Sequence, residues 1–425
     1  MYTTFKTDRF LMFGWICWMM GAATAWGDDF LQFRGADGRN VIAGGKAPTE
    51  WSTDKNVAWK VKLPGRAVNG VIVVDGQVIA TSSSGHLNDQ LHVYSLDEQS
   101  GAIRWQRTIY STGRAFCHPL SSMAAPTPAS DGKAIYVLFS TNDLICLDLQ
   151  GNLQWTRALG LDFPGAFDDR GLASSPIVVD GTLIIQVACQ GDSFVLGVDA
   201  ATGQDKWRKE LPRSTAWTSP TPFHIDGRSL ALIHSASNFQ AIDPATGVSS
   251  WLVEARGAAI PSPAVHDRSV FLATAGLTRM DLDLTVSTPT KSWSAQKLST
   301  GSASPIVAND KLFVIHGNNI LTCGDIEAGE VLWQTRVKGS KIWATPLMVG
   351  DYIYIVNDAG LTQVVDVSGP EGLVVSENDL AEEMLGSPAY ANGAIYLRGV
   401  THVFKVAEGD QTRAAPSSGP TKESR

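Results

Sequence analysis

Residues 199–207 read Asp-Ala-Ala-Thr-Gly-Gln-Asp-Lys-Trp, and this stretch decides the fold. Its pattern is Asp, three residues, Gly, three residues and Trp, and the pattern returns elsewhere in the chain. The further copies are Asp97/Gly101/Trp105, Asp243/Gly247/Trp251, Asp325/Gly329/Trp333 and the one-residue-shorter Asp148/Gly151/Trp155. Asp and Gly suit a tight turn between two strands, and the Trp can cover the junction between neighbouring sheets. An aromatic motif repeated in this way indicates a β-propeller with one copy per blade.

A second recurring feature, a small residue followed by Pro, marks where each repeat begins. The openings are Ala125-Pro126, Ser175-Pro176, Ser219-Pro220, Ser262-Pro263, Ser304-Pro305, Thr345-Pro346 and Ser387-Pro388, with Asn69-Gly70 as a degenerate eighth. Successive prolines are 41 to 50 residues apart. Most openings lead into an apolar strand and then an Asp-Gly or Asn-Gly pair, which is typical of hairpin turns. Each repeat therefore begins with two antiparallel strands.

The strand count predicts how the ring closes. The last opening is followed by too few strands for a full blade, whereas Val57–Val61 forms a Trp-containing strand that precedes the first opening. We therefore predict an all-β fold, an eight-bladed β-propeller of four-stranded antiparallel blades, closed by the N-terminal strand completing the last blade. The seventh repeat has Val374-Val375 where a Trp is expected. The predicted structural tryptophans are Trp59, Trp105, Trp155, Trp207, Trp251, Trp293 and Trp333.

The regions outside the repeats indicate export. Residues 1–27 resemble a signal peptide, with Lys6 and Arg9 before an apolar run over residues 10–25 and small residues at a cleavage point after Gly27. An uncleaved membrane anchor is the alternative. We expect residues 28–55 to form an N-terminal segment, residues 56–407 the propeller, and residues 408–425 a disordered tail. The predicted location is periplasmic or secreted.

Composition excludes one class of partner. The chain has 34 basic and 42 acidic residues, a net charge of −8, so it offers no field that attracts phosphate backbones. Nucleic acid is therefore not an expected partner. We expect a monomer that contacts a membrane only through a partner.

The repeat ending resembles that of the pyrroloquinoline quinone (PQQ)-like repeat propellers, Ala-x-Asp-x-x-Thr-Gly-x-x-x-Trp. Residues 199–207 fit this ending closely, and Phe30-Leu-Gln-Phe-Arg-Gly35 is similar to a motif that precedes the propeller in exported bacterial members. The resemblance covers about residues 30–407. It implies the fold firmly and the function weakly, because such blades serve quinone-dependent dehydrogenases as well as non-catalytic propellers of outer-membrane assembly.

The residues that a quinone-dependent dehydrogenase of this family would require are incomplete. The resemblance implies an adjacent Cys pair, a Ca²⁺ site and a catalytic Asp, but Cys117, Cys146, Cys189 and Cys323 are well separated. Their reading as buried free thiols and their pairing as disulfides both remain open. Asp168-Asp169 is the nearest acidic pair to a Ca²⁺ site. We predict no catalytic residue, no metal and no cofactor, with PQQ plus calcium as the alternative.

The eight histidines also lack a metal-binding spacing, and no Gly-x-Ser-x-Gly motif is present. Binding has a better basis, because the residues just before the inner strands must converge on one mouth of the central channel. The predicted ligand-binding residues of this mouth are Arg66, Asn69, His118, Ser121, Ser122, Ser174, Trp217, Thr218, Lys341 and Trp343. Trp217 and Trp343 stand outside the structural Trp positions, so they are candidate contacts for a ligand or plugs of the channel.

The connection over residues 110–123 is lengthened and either folds over the same mouth or is a tolerated insertion. Two functions follow from these observations. The first is a non-catalytic binding or assembly scaffold for a protein segment or a glycan. The second is a PQQ-dependent oxidoreductase, similar to an alcohol or sugar dehydrogenase, with a reduced active site.

Overall fold

The computed structural model describes Met1 and residues 29–409. The remainder of the predicted signal peptide and the tail from residue 410 onward lie outside the described residues. Within them, the chain forms eight antiparallel sheets of four strands, and one sheet carries a short fifth strand. The eight-bladed propeller prediction is confirmed.

Each blade is a meander whose first strand lies nearest the central axis. Blade 1 consists of Ile72–Val74, Gln77–Ser84, Gln90–Asp97 and Ile103–Tyr110, and blade 2 of Ala129–Ser130, Ala134–Leu138, Asp143–Asp148 and Leu153–Ala158. Blade 3 consists of Ile177–Val179, Thr182–Val187, Phe194–Asp199 and Asp205–Glu210, and blade 4 of Thr221–Ile225, Arg228–His234, Asn238–Ile242 and Ser249–Glu254. The helix Leu159–Asp162 lies between blades 2 and 3. It is the only α-helix in the described part of the chain, and no described helix is long and apolar enough to cross a membrane.

The second half of the ring repeats the arrangement. Blade 5 consists of Ala264–His266, Ser269–Ala273, Leu277–Asp281 and Thr290–Ala295, and blade 6 of Ile306–Ala308, Lys311–Ile315, Ile320–Asp325 and Val331–Arg336. Blade 7 consists of Leu347–Val349, Tyr352–Val356, Leu361–Asp366 and Leu373–Asp379. The Asp-Gly and Asn-Gly pairs between first and second strands form tight hairpins. Asp75, Asp180, Asp226 and Asn392 have positive φ angles of 46–51°, as such turns require.

Blade 8 is built from both ends of the propeller. Its first three strands are Ala389–Ala391, Ala394–Arg398 and His402–Val406, and its fourth is Val57–Lys62, which pairs antiparallel with His402–Val406. The N-terminal strand therefore completes the last blade, as the strand count predicts. The side chain of Glu98 ties blade 8 to blade 1 by accepting hydrogen bonds from Tyr396 and Lys405 at 2.6 and 2.9 Å.

The blade tryptophans lie at the junctions between consecutive blades. In six of the described blades the indole N–H donates to a backbone carbonyl in the outer turn of the next blade. The acceptors are the carbonyls of Glu98, Leu149, Ala200, Pro244, Val286 and Ile326, which receive the N–H groups of Trp59, Trp105, Trp155, Trp207, Trp251 and Trp293 at 2.8–3.1 Å. At five of these six junctions the motif glycine of the next blade lies under the indole; a Cβ added at Gly151 would come within 2.6 Å of Trp105. The Gly is therefore needed for close approach as well as for its positive φ.

The seventh blade obtains its missing tryptophan from another part of the chain. Trp51, from the segment before the first strand of the propeller, is buried and stacks on Tyr354 with ring centroids 6.2 Å apart. In blades 2, 5, 6 and 8 the blade's own Trp packs on the aromatic residue at this same strand position. Thr49 fixes the segment by accepting a hydrogen bond from Asn378 in the outer strand of blade 7. Trp51 thus fills the junction between blades 7 and 8.

The first part of the N-terminal segment, residues 29–46, runs along the channel-facing edges of the inner strands. Between Phe30 and Lys46 it contacts every blade, and Val41–Ile42 adds the fifth strand to the sheet of blade 7. From blade 1 to blade 8 the contacted residues are Val73, Ser130, Val178, Pro222, Pro263, Pro305, Met348 and Tyr390. One end of the channel is therefore closed by this segment.

Candidate functional site

The inner strands enclose a blind cavity on the propeller axis. Its volume is ≈ 140 Å³, and Phe33 of the N-terminal segment lies at its closed end. The lining is made of uncharged polar, aliphatic and aromatic residues, with no lysine, arginine, aspartate or glutamate. Asn69, Trp217 and Trp343 are the predicted mouth residues that reach this cavity.

Seven hydroxyl groups form a ring around the cavity. Six belong to the small residue that opens a blade, and the seventh, Thr127, directly follows the opening Pro126 of blade 2. Each accepts a hydrogen bond from a backbone N–H of the preceding blade, at 2.9–3.4 Å. The hydroxyls are those of Thr127, Ser175, Ser219, Ser262, Ser304, Thr345 and Ser387. Blade 1 contributes Gly70 instead, where a Cβ would lie 2.8 Å from the Ser387 carbonyl. At six openings the small residue itself therefore takes part in an interblade hydrogen bond.

Arg34 lies next to this ring. Its guanidinium donates to the carbonyls of Pro263 and Pro305, the residues that directly follow two of the ring hydroxyls. The side chain is fully buried, and burial lowers its pKa to about 10, so it remains protonated at neutral pH. Within the described residues it forms no ion pair, and its Nε has no hydrogen-bond partner.

The two mouth tryptophans are half-buried and differ in their contacts. Trp217 donates its indole N–H to the carbonyl of Gly171 at 2.8 Å, which ties it to the connection between blades 2 and 3. The ammonium of Lys341 lies 5.4 Å from the ring centroid of Trp343, which is a cation–π contact at the exposed rim. Trp217 is therefore a support for a loop as well as a wall of the cavity.

Two long connections form a raised surface beside the mouth, and we call residues 110–123 and 159–174 the loop face. The first is fixed by Thr112, which donates to the carboxylate of Asp143, and by His118, whose backbone N–H donates to the Arg170 carbonyl at 3.1 Å. Both connections lead into inner strands, so they lie on the mouth side of the ring. The lengthened segment at residues 110–123 folds against its neighbour at several points.

The loop face exposes an aromatic pair that brackets a cation. The Arg114 guanidinium carbon lies 5.4 Å from the ring centroid of Phe116 and 4.7 Å from that of Phe167, so the two rings come from different connections. Phe116 is 51% exposed and Phe167 44% exposed. Tyr110, Leu120 and Leu161 are exposed on the same connections. Aromatic residues and Arg are enriched in the energetically important parts of protein interfaces.

The remaining predicted mouth residues fall into two groups. Arg66, His118, Ser121 and Lys341 are at the surface, and Arg66 pairs with Glu383 at 2.9 Å. Ser122, Ser174 and Thr218 are buried beneath the mouth. The Thr218 hydroxyl donates a hydrogen bond to the carbonyl of His234. The structure thus brings three of the ten residues into one cavity and distributes the others around and below it.

Sequence reasoning missed the hydroxyl ring, Arg34 and the aromatic pair. The openings were visible as a repeat, but the donor to each hydroxyl lies one blade away and cannot be read from spacing. The interval of 50 residues between Pro126 and Pro176, the longest in the series, was a signal for the second raised connection. Nothing in the pattern of residues 29–46 signals that they line the channel.

Most of the cysteine, histidine and aspartate side chains considered as candidates for catalysis or metal binding are buried or take part in hydrogen bonds within the fold. The four described cysteines are unpaired, and burial raises the pKa of Cys146 and Cys323 to about 12. His234 is buried, and burial lowers its pKa to about 4, so it is neutral. Asp168 accepts hydrogen bonds from Thr215 and the Arg170 backbone and does not converge with Asp169, which is exposed. No group of three His, Cys, Asp or Glu residues in the described part could hold a metal ion.

The residues of the cavity do not fit PQQ and calcium. PQQ is a fused three-ring quinone with three carboxylates, and cofactors of that size occupy sites of about 300–1,000 Å³. The cavity of ≈ 140 Å³ is smaller, and its lining has no lysine or arginine to pair with carboxylates. Ca²⁺ requires six to eight oxygen ligands, usually including carboxylates, and no carboxylate lines the cavity.

The blades, their Asp-Gly-Trp turns and the strand closure define a PQQ-like repeat β-propeller. The family model described as outer membrane protein assembly factor BamB matches residues 14–253, and the chain belongs to this family. The resemblance inferred from the repeats is therefore confirmed.

The relatives and structural neighbours extend the comparison. Outer membrane protein assembly factor BamB from Yersinia pestis is 26% identical over 221 residues, which are 51% of this chain and 51% of that protein. The chain thus spans about half the length of this curated relative. The structure of BamB from Moraxella catarrhalis superimposes with a TM-score of 0.60 at 17% identity, covering 83% of this chain and 97% of that one. A europium-containing methanol dehydrogenase superimposes with a TM-score of 0.68 at 13% identity, covering 88% and 90%. The likeness to both structures concerns the fold alone.

Proposed function

We propose that this protein is a periplasmic, non-catalytic scaffold that binds a segment of another protein through its loop face during outer-membrane protein assembly. The family supplies the assembly context, because its members carry the name of assembly factors. The observation that supports the loop face as the binding surface is the exposed pair of Phe116 and Phe167 on either side of Arg114.

The loop face has the composition of a protein interface. Its exposed apolar side chains can be desolvated by a partner, while Arg114 and the surrounding polar groups fix orientation. The hydrogen bonds that hold residues 110–123 against blade 2 reduce the ordering entropy that binding would otherwise cost. The partner we propose is a protein segment with aliphatic or aromatic side chains next to a carboxylate, which would pair with Arg114.

The decisive experiment combines a cellular and a chemical readout. In a strain lacking the gene, wild-type protein should restore the level of outer-membrane proteins, and the Phe116→Ser/Phe167→Ser variant should fail although it folds and accumulates. The matched control is Leu332→Ser/Leu373→Ser, which changes side chains that are 50% and 65% exposed on the outer strands of blades 6 and 7. Full complementation by the loop-face variant would contradict the proposal.

A photo-cross-linking residue placed at position 116 identifies the partner directly. We expect a cross-link to a component of the outer-membrane assembly machinery from position 116 and none from position 332. Trp217→Ala combined with Trp343→Ala should also weaken capture, because Trp217 supports Gly171 in the loop face. Cross-linking that is equal at both positions would indicate nonspecific contact and reject the loop face.

A further inference from the structure

The seven ring hydroxyls have protons that the protein leaves unused. Each hydroxyl oxygen accepts one backbone N–H, and none of the seven donates a hydrogen bond to any described residue. A hydroxyl can donate one hydrogen bond in addition to those it accepts, and a buried donor without a partner is costly. All seven residues line the same cavity. The ring is therefore a circle of donors around one space.

A buried positive charge lies beside this circle without a carboxylate to balance it. Arg34 bonds only to carbonyl oxygens, and the nearest acidic influence on it is Asp37, which is exposed and pairs with Arg39. A buried charge is stable when it is paired or fully hydrogen-bonded. The carbonyls satisfy two of its nitrogens, while its Nε lacks a partner. Within the described residues the guanidinium is therefore hydrogen-bonded to carbonyl oxygens but has no carboxylate in contact with it.

Arg34 and the hydroxyl ring belong to the same part of the channel. Ser262 and Ser304 immediately precede the two prolines whose carbonyls hold the guanidinium. Phe33, the neighbour of Arg34, lies at the end of the cavity that contains these serines. A ligand inside the ring would therefore feel both the hydroxyl donors and the positive charge.

We propose that the axial cavity binds a small inorganic anion of halide size, with the ring hydroxyls as donors and Arg34 as the balancing charge. The cavity lining contains no carboxylate that would repel an anion. Asn69 has a buried amide oxygen without a partner, and a water molecule beside the anion can donate to it. This site is separate from the loop face, so either proposal can fail without affecting the other.

Size and charge separate the anion from other occupants. A cavity of ≈ 140 Å³ admits a halide with a few waters, and its closed end at Phe33 prevents a chain from passing through. A cation would meet the positive charge of Arg34 and a circle of donor protons. Water alone could use the hydroxyl protons but would leave the guanidinium charge unbalanced.

Crystals grown or soaked in bromide test the site directly. Anomalous scattering should show a bromide on the propeller axis within hydrogen-bonding distance of several ring hydroxyls. A map with bromide only on the molecular surface, and water on the axis, would overturn the proposal. This measurement uses the unaltered protein and so does not depend on any variant folding.

Thermal unfolding in two sodium salts provides the second test. At constant ionic strength, raising chloride from about 1 to about 100 mM in place of gluconate should raise the Tm of the wild type, because a ligand of the folded state stabilises it by mass action. Gluconate is too large for the cavity. Arg34→Gln should abolish the chloride-dependent rise, whereas Lys46→Gln, in the same segment and exposed, should keep it.

If Arg34→Gln does not fold, the double variant Ser262→Ala/Ser304→Ala replaces it, since it removes two ring donors and leaves the guanidinium in place. It should reduce the chloride-dependent rise by at least half. A rise that is unchanged in both Arg34→Gln and the serine variant would show that chloride acts elsewhere, and the axial site would be rejected.

Discussion

The indole N–H groups link consecutive blades at six of the eight junctions of the described propeller, and the junctions after blades 6 and 7 lack this hydrogen bond. Trp333 packs against Gly372 of blade 7, but its N–H has no partner because the turn of that blade is irregular. Trp251 is similarly buried and donates to the Val286 carbonyl at 3.1 Å. A comparison of Trp251 with Trp333 therefore separates the contribution of the indole hydrogen bond to stability from that of ring packing.

We expect Trp251→Phe to lower the free energy of unfolding by about 1 kcal/mol more than Trp333→Phe, because only the first substitution removes a hydrogen bond between blades. Urea unfolding of the two variants beside the wild type provides the measurement. Trp333→Phe is the matched control, since both variants lose similar ring area. Equal losses would show that the indole hydrogen bonds do not contribute to the junctions.

At this scale the sequence revealed part of the design. The Asp-Gly-Trp spacing identified the junction tryptophans, because each copy uses the same local turn. It could not identify Trp51, which stands outside the repeat and reaches blade 7 only through tertiary packing on Tyr354. The valines at 374–375 marked the gap but not the residue that fills it.

At the scale of elements, the junction between blades 8 and 1 depends on one carboxylate. Glu98, in the outer turn of blade 1, accepts hydrogen bonds from Tyr396, Lys405 and Asn392 of blade 8. Burial alone would raise the pKa of Glu98, but the hydrogen bonds from Tyr396 and Lys405 and the charge of Lys405 together lower it below 4.5. The stabilisation from this group is therefore complete above pH 4.5 and is lost as the pH falls through the lower pKa of the folded state.

We predict that Glu98→Gln lowers Tm at neutral pH and that the gap from the wild type narrows below pH 4.5. Calorimetric scans over a pH series would measure both curves. Glu371→Gln, at an exposed position of blade 7, should run parallel to the wild type. A gap that stays constant down to acidic pH would mean that Glu98 contributes through shape and not through its charge.

The elements also show where sequence reasoning stops. Hairpins with Asp-Gly turns were predictable because two adjacent residues determine the turn. The path of residues 29–55 was not, since its partners are distributed over all eight blades and it has no periodic pattern of its own. Only one of the two connections of the loop face, residues 110–123, was predicted from the sequence, as a lengthened connection, and its phenylalanine had no assigned role.

At the scale of the whole molecule, closure joins the two ends of the ring. Deleting residues 56–63 removes the outer strand of blade 8 together with Trp59, whose N–H bonds to Glu98. We expect the deletion to lower Tm substantially and to promote self-association, because it exposes the edge of His402–Val406.

Calorimetry and sedimentation would measure these two effects. Adding a synthetic peptide of residues 56–63 should restore Tm in a concentration-dependent way, which distinguishes a missing strand from general damage. An unchanged Tm after the deletion would refute the closure. The ring as a whole was the most predictable level, because eight openings and one displaced strand leave few other arrangements.

The circuit of the N-terminal segment also constrains the timing of folding. Residues 30–62 are made early, yet they contact every blade and pair with His402–Val406, which is made hundreds of residues later. Contacts this distant along the chain close slowly, and synthesis proceeds from the N-terminus. The completed propeller can therefore form only after nearly all of the chain has emerged. For the periplasmic protein that we propose, this delay would keep the chain unfolded until its last blade has crossed the inner membrane.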